Sequence, residues 1–191
     1  MTARMKLYIG LLVLGLAIVG GGLWFLLNPS PVIEIPEGEP IIAMELDFVM
    51  RGEFDKLYLY DDGTVIYRED KGLRVSTPEH QPTRIWKTGL LQEEELNNLF
   101  DFFKNSKFDE LDAYYQYPDP SSGGGVTSDM YCTISISSGN FSNTVKTFGY
   151  LTPDEGMTYP DMPYPLNEIY KRLRVIIDDK TEEVYRGLIK D

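Results

Sequence analysis

One uninterrupted apolar run constrains this 191-residue chain more than any other feature of its sequence. Residues 7–27 read LYIGLLVLGLAIVGGGLWFLL and contain no ionisable group except the phenol of Tyr8. A helix of this length, rising about 1.5 Å per residue, is long enough to cross a hydrocarbon core of about 30 Å. The run therefore predicts a transmembrane anchor at residues 7–27, in contact with membrane lipid.

The charges that flank this run predict its orientation. Residues 1–6 contain Arg4 and Lys6, whereas the first charged residues after the run are Glu34, Glu37 and Glu39. Basic flanks stay on the cytoplasmic side of a membrane. We therefore expect a single-pass protein of the cell membrane, with residues 1–6 in the cytoplasm and the rest of the chain outside.

A cleaved signal peptide is the alternative to a retained signal-anchor. Signal peptides have an apolar region of about 7–15 residues that ends at a small-residue cleavage site. Gly20 and Gly22 would suit such a site, but the apolar run continues through Leu27. The length of the run favours the retained anchor.

A proline- and glutamate-rich segment follows the anchor and predicts a stiff spacer at residues 28–40. The extracytoplasmic domain then comprises residues 41–191. The whole chain carries a net charge of −12, and this acidity excludes nucleic acid as a partner. The lone Cys132 cannot form an internal disulfide, so the domain must be stabilised by its apolar core.

The stretch LYLYDDGTVIYRE, residues 57–69, predicts a β-hairpin. A three-residue loop at Asp61, Asp62 and Gly63 pairs Leu59 with Val65 and Leu57 with Tyr67, so that four apolar groups share one face. Such a loop requires a left-handed residue at its third position, which glycine supplies. A calcium site is the alternative, but the loop has too few further carboxylates for one. We expect a structural turn.

Two further segments have the period of amphipathic helices, and another predicts a second hairpin. Residues 91–108 and 165–180 each place apolar residues on one helical stripe. Residues 130–150 alternate as two strands around a turn at residues 138–140 and place Cys132 on the buried face. These elements predict an α+β fold, in which two helices cover one face of an antiparallel sheet.

The order of these motifs resembles an uncharacterised family of secreted or membrane-anchored α+β domains. The motifs are YDDGTVIY, then LLQEEELNNLFDFFKNSKFDEL, then NTVKTFG, then YPLNEIYKRLRVIID, and they span about residues 41–179. Many members of that family carry a cysteine pair before the first hairpin, where this chain reads MRGEFDKLY without cysteine. The resemblance implies the fold but no catalytic residues.

No pattern of residues predicts catalysis, a bound metal or a cofactor. The only histidine, His80, lies in a polar segment without a nucleophile elbow, and no cysteine and histidine cluster has zinc spacing. The glycines of SSGGGVTSD, residues 121–129, precede a strand and lack a suitably placed lysine, unlike a phosphate-binding loop. We therefore expect no enzyme activity.

Two tyrosine-rich segments are the candidate binding site. They are residues 112–129 and 150–165, and tyrosine offers a large contact area with a polar tip. Their aspartates would accept hydrogen bonds from sugar hydroxyls or basic side chains. The alternative is that these rings only cover the ends of the sheet. The candidate residues are Tyr114, Tyr115, Tyr117, Asp119, Asp154, Tyr159 and Asp161.

The sequence as a whole predicts a membrane-anchored extracytoplasmic domain that binds or scaffolds a protein or glycan partner, such as an accessory subunit of a cell-envelope complex. The alternative is an extracytoplasmic hydrolase or calcium-dependent enzyme that uses carboxylates of the acidic loops. Asn140 begins the triplet Asn-Phe-Ser, which fits the glycosylation sequon on the exposed turn of the second hairpin.

Overall fold

The computed structural model describes residues 33–48, 52–72, 81–116, 130–148 and 164–188. These residues form eight strands, two α-helices and one short 3-10 helix at Phe108–Glu110. The helices are α1 (Glu93–Asn105) and α2 (Tyr164–Lys180). The strands are β1 (Ile42–Phe48), β2 (Glu53–Leu59), β3 (Thr64–Lys71), β4 (Thr83–Leu90), β5 (Tyr114–Gln116), β6 (Met130–Ser138), β7 (Phe141–Phe148) and β8 (Thr181–Leu188).

The strands form one sheet in the order β5-β7-β6-β1-β2-β3-β4-β8. The predicted α+β class is confirmed, but the prediction of an antiparallel sheet is wrong, because β5 runs parallel to β7. The side chain of Asn143, near the start of β7, donates hydrogen bonds to the carbonyls of Phe108 and Leu111. These two hydrogen bonds hold the segment that precedes β5 beside the start of β7. The chain therefore enters β5 from that end, and β5 continues in the same direction as β7.

The first hairpin has the predicted register, with Leu59 opposite Val65 and Leu57 opposite Tyr67. Gly63 has φ +85°, the left-handed conformation that its loop position requires. The Asp62 carboxylate accepts a hydrogen bond from the backbone N–H of Thr64 at 2.8 Å. Such a local bond is typical of a turn.

Both helices pack on one face of the sheet. In α1 the buried residues are Leu96, Leu99 and Phe103, and the backbone N–H of Gln92 donates to the Glu95 carboxylate at the helix start. In α2 they are Leu166, Ile169, Leu173 and Ile177. All seven belong to one apolar core with the buried sheet residues, including Cys132. The two predicted helices are thus confirmed, with bounds that differ by a few residues.

The edge strand β8 was not predicted from the sequence. It follows α2 directly and pairs with β4. The close approach requires Gly89, because a Cβ atom there would overlap the carbonyl oxygen of Lys180. The hydroxyl of Thr181 donates to the Ile177 carbonyl at 2.6 Å and so ends the helix.

Within the described ranges, no helix is both long and apolar enough to cross a membrane. The predicted anchor at residues 7–27 lies outside those ranges, and so does the spacer up to residue 32.

Candidate binding face

The second face of the sheet carries neither of the two described helices. Core residues such as Met44, Leu57 and Val65 point toward α1 and α2. Because side chains alternate between the two faces of a strand, the residues between them point to the opposite side. We call that side the open face.

The strand registers show which residues are neighbours on the open face, since paired residues project from the same side. One row contains a residue from each of the eight strands and extends roughly 34 Å at the usual strand spacing. We call it the central row. From β5 to β8 it consists of Tyr114, Lys146, Thr133, Glu45, Lys56, Arg68, Trp86 and Tyr185.

Arg68 lies between two aromatic rings of the open face. Its guanidinium carbon is 5.7 Å from the ring centroid of Phe54 and 5.8 Å from that of Trp86. Lys56 Nζ lies 4.9 Å from the Phe54 centroid and 2.6 Å from Glu45 Oε1. Cations within about 6 Å of a ring centroid are attracted by about 0.5–1 kcal/mol at exposed sites. These contacts favour positions in which the long side chains of Lys56 and Arg68 lie against the rings.

Asp70 orients two arginines of the open face. It is 2% exposed, and its two oxygens accept hydrogen bonds from Arg84 Nε at 2.7 Å and Nη2 at 2.9 Å. Arg68 Nη2 lies 3.1 Å from Asp70 Oδ2. The hydrogen bonds to Asp70 raise the pKa of Arg84. One carboxylate thus serves two guanidinium groups, so these three groups together carry an excess positive charge.

Aromatic rings also occupy the other end of the open face. Tyr131 and Phe148 pair across β6 and β7 with ring centroids 4.7 Å apart. Lys146 Nζ lies 5.2 Å from the Tyr131 centroid. Tyr114 is the neighbour of Lys146 in the central row and is 48% exposed. One residue of the candidate site predicted from the sequence therefore belongs to this face.

The open face also contains a cleft of about 560 Å³ near the start of β1. Residues of β1, β6 and β7 line it, together with Tyr58 of β2 and the preceding Glu39 and Pro40. The cleft adjoins the central row, because Tyr58 and Ala43 are two residues along their strands from Lys56 and Glu45.

The open face is suited to recognition. Tyrosine, tryptophan and arginine are the residue types that contribute most at protein interfaces. The central row pairs no hydroxyl or thiol with a histidine, as an activated nucleophile would require. Its only carboxylate, that of Glu45, is paired with Lys56.

The other candidate residues from the sequence are distributed differently. Tyr115 pairs with Thr147 on the core side, where it packs against the core, and its hydroxyl accepts a hydrogen bond from the Asp112 N–H at 2.9 Å. Three residues close to the ends of the two tyrosine-rich segments lie on neighbouring strands: Gln116, Tyr131 and Phe148. The remaining candidates lie outside the described residues: Tyr117, Asp119, Asp154, Tyr159 and Asp161.

The acidic hairpin loop and the sequon both lie at exposed turns. Asp61 and Asp62 are exposed, and Gly63 is buried against Leu91, whose N–H donates to the Gly63 carbonyl. Among the described residues, no group of three or more acidic, histidine or cysteine side chains is placed to hold a metal ion. Asn140 is exposed in the turn between β6 and β7.

A buried carboxylate lies on the opposite side of the sheet, beneath α2. Asp55 is 6% exposed and accepts a hydrogen bond from the Tyr67 hydroxyl at 2.8 Å. Arg174 Nη1 lies 3.6 Å from the same oxygen of Asp55. Burial raises the pKa of Asp55 to about 6, and the hydrogen bond from Tyr67 and the charge of Arg174 oppose this shift. No pattern in the sequence identified this group.

Comparisons with known proteins do not place this chain in a family. No protein-family model matches it, and no curated protein is significantly similar to it. The resemblance to an uncharacterised α+β family therefore stays a prediction.

Proposed function

We propose that the chain is a single-pass membrane protein whose extracytoplasmic domain binds another protein through the open face, as an accessory subunit of a cell-envelope complex. The apolar run at residues 7–27 and its basic N-terminal flank support the anchor. The observation that carries the binding proposal is the central row, in which cations lie beside aromatic rings on a face without a described helix.

The dimensions of the open face are those of a protein interface. The central row and the rows on either side of it cover roughly 34 Å by 20 Å, or about 700 Å². A standard protein interface buries about 800 Å² on each partner. The face is therefore large enough to accommodate a protein partner.

The charge of the open face also favours binding. The domain is strongly acidic, since residues 28–191 carry a net charge of −14. The three rows of the open face are electrically balanced, so a negatively charged partner meets less repulsion there than elsewhere. Their charged residues are Lys56, Arg68, Arg84 and Lys146, against Glu45, Asp47, Asp70 and Glu182.

A hydrolase or calcium-dependent enzyme is the second candidate function, and Asp55 is the observation that favours it. A buried carboxylate with a raised pKa is typical of catalytic acids. However, Asp55 is covered by α2 and held by Tyr67 and Arg174. A substrate would reach it only if α2 moved, so we place this function second.

The binding proposal predicts the behaviour of two open-face variants. Tagged full-length protein, purified from gently solubilised membranes, should retain a partner that Trp86→Ala and Tyr114→Ala lose. Aromatic residues at the centre of interfaces often contribute about 2 kcal/mol, so we expect a loss of affinity of roughly 30-fold for Trp86→Ala. The measurement is the amount of partner retained at increasing wash stringency.

Val175→Ala is the control, because Val175 is exposed, as Tyr114 is, but lies on α2. It should leave the partner bound. Tyr114→Ala should also change the free energy of unfolding by less than about 0.5 kcal/mol, since it removes an exposed side chain. The proposal is wrong if both open-face variants retain the partner, or if binding is lost only as the variants unfold.

A further inference from the structure

The cleft on the open face has a floor of small side chains. On β6, Ser135 and Ser137 alternate with buried isoleucines, and they pair with Thr144 and Ser142 of β7. Ala43 of β1 pairs with Ser135. The adjoining central row carries Lys146, Glu45 and Lys56, which are much longer. The depression therefore results from a change in side-chain length between adjacent rows of one sheet.

The lining combines hydroxyl groups with an apolar wall. Four hydroxyls line the cleft, and none of them has a hydrogen-bond partner among the described residues: Ser135, Ser137, Ser142 and Thr144. Each serves as both donor and acceptor. The ring of Tyr58 and the side chain of Pro40 supply apolar surface. Glu39 is the one charged residue of the lining, and its carboxylate can accept two hydrogen bonds.

We propose that this cleft binds a neutral saccharide of two or three sugar units. Sugar hydroxyls can both donate hydrogen bonds to the four side-chain hydroxyls and accept hydrogen bonds from them. The C–H face of a pyranose ring is apolar and can stack on an aromatic ring such as that of Tyr58. The near absence of charge in the lining excludes selection of a strongly ionic ligand. A cleft of about 560 Å³ lies within the usual range for small-ligand sites.

An extended peptide fits the cleft less well. Peptides commonly bind a sheet by adding a strand to its edge, through backbone hydrogen bonds. The floor here is formed by side chains from the faces of β1 and β6, and both strands are already paired on each side. The cleft therefore offers little backbone for a peptide to pair with. This saccharide site lies within the face proposed to bind a protein, but the cleft and its ligand do not require that a protein binds there.

The test is a titration of the full-length protein, kept in a detergent without a sugar headgroup, with maltose, cellobiose and diacetylchitobiose. Binding is measured by calorimetry and by chemical-shift changes. We expect at least one disaccharide to bind with a Kd of about 1 mM, as befits a small ligand with few contacts. Ser135→Ala and Tyr58→Ala should each weaken it about tenfold, whereas Tyr58→Phe, which keeps the ring, should change it less than about threefold.

Thr133→Val is the matched control, because it removes a hydroxyl from the same face of β6 outside the cleft lining. It should leave the saccharide affinity unchanged. The proposal is overturned if no disaccharide binds to folded protein, if Ser135→Ala and Tyr58→Ala bind as tightly as the unaltered chain, or if a neutral tripeptide binds there more tightly than all three sugars. None of these outcomes depends on whether the central row binds a protein.

Discussion

Gly63→Val is expected to destabilise the domain by at least about 3 kcal/mol, because it combines backbone strain with a steric overlap. Gly63 has φ +85°, which a β-branched residue adopts only under strain. A Cβ atom at Gly63 would also overlap the carbonyl oxygen of Leu91. Leu91 lies two residues before α1, next to its N-cap Gln92, so the substitution disturbs the hairpin and the helix start together. The measurement is the denaturation midpoint of the purified protein.

Asp62→Asn is the matched control in the same loop. Asparagine retains an oxygen that can accept the hydrogen bond from the Thr64 N–H, so we expect a change within about 0.5 kcal/mol. If Asp62→Asn abolished calcium affinity while the fold remained intact, the loop would be a metal site and its interpretation as a structural turn would fail.

The contribution of Asp55 to the stability of the domain should fall as pH rises from about 4 to about 7. Its pKa is raised from 3.8 to about 6 in the folded state, so the folded protein binds this proton more tightly than the unfolded chain does. The resulting contribution of Asp55 to stability is fully present below the pKa of the unfolded chain and disappears as pH rises through about 6. By linkage, this pKa shift lowers the free energy of unfolding by about 2 kcal/mol between pH 4 and pH 7.

Asp55→Asn should remove this part of the pH dependence, because asparagine does not ionise. The free energy of unfolding of the variant, relative to the unaltered chain, should therefore rise by about 2 kcal/mol between pH 4 and pH 7. A relative stability that falls over the same interval would mean that Arg174 outweighs burial and lowers the pKa of Asp55. It would also remove the observation that favours a catalytic role.

Local patterns predicted the parts of this fold that depend on neighbouring residues. The register at Gly63 and the apolar stripes of the two helices follow from the spacing of apolar groups within one segment. The strand β8 was missed because its charged start, Glu182 and Glu183, resembles a solvated tail more than a strand. The parallel direction of β5 was missed because it depends on the long-range bonds of Asn143.

The open face was only partly accessible from the sequence. Alternation within the first hairpin already placed Tyr58 and Arg68 on the side opposite the core. However, the central row is completed by the pairing of β1 with β6 and of β4 with β8, which are distant in the chain. The number of tyrosines around Tyr114 made it a candidate, whereas Trp86 was not a candidate, because its proposed role depends on its position beside Arg68.

The most direct test of the central claim is site-specific photo-cross-linking in intact cells. A photoreactive amino acid would replace Lys146 or Glu182 on the open face, or Val175 or Asn98 on the helical side; all four residues are exposed. If the open face binds a protein, both open-face positions should cross-link to the same protein and neither helical position should. Cross-links from Val175 and Asn98, with none from Lys146 and Glu182, would mean that the interface lies on the helices instead.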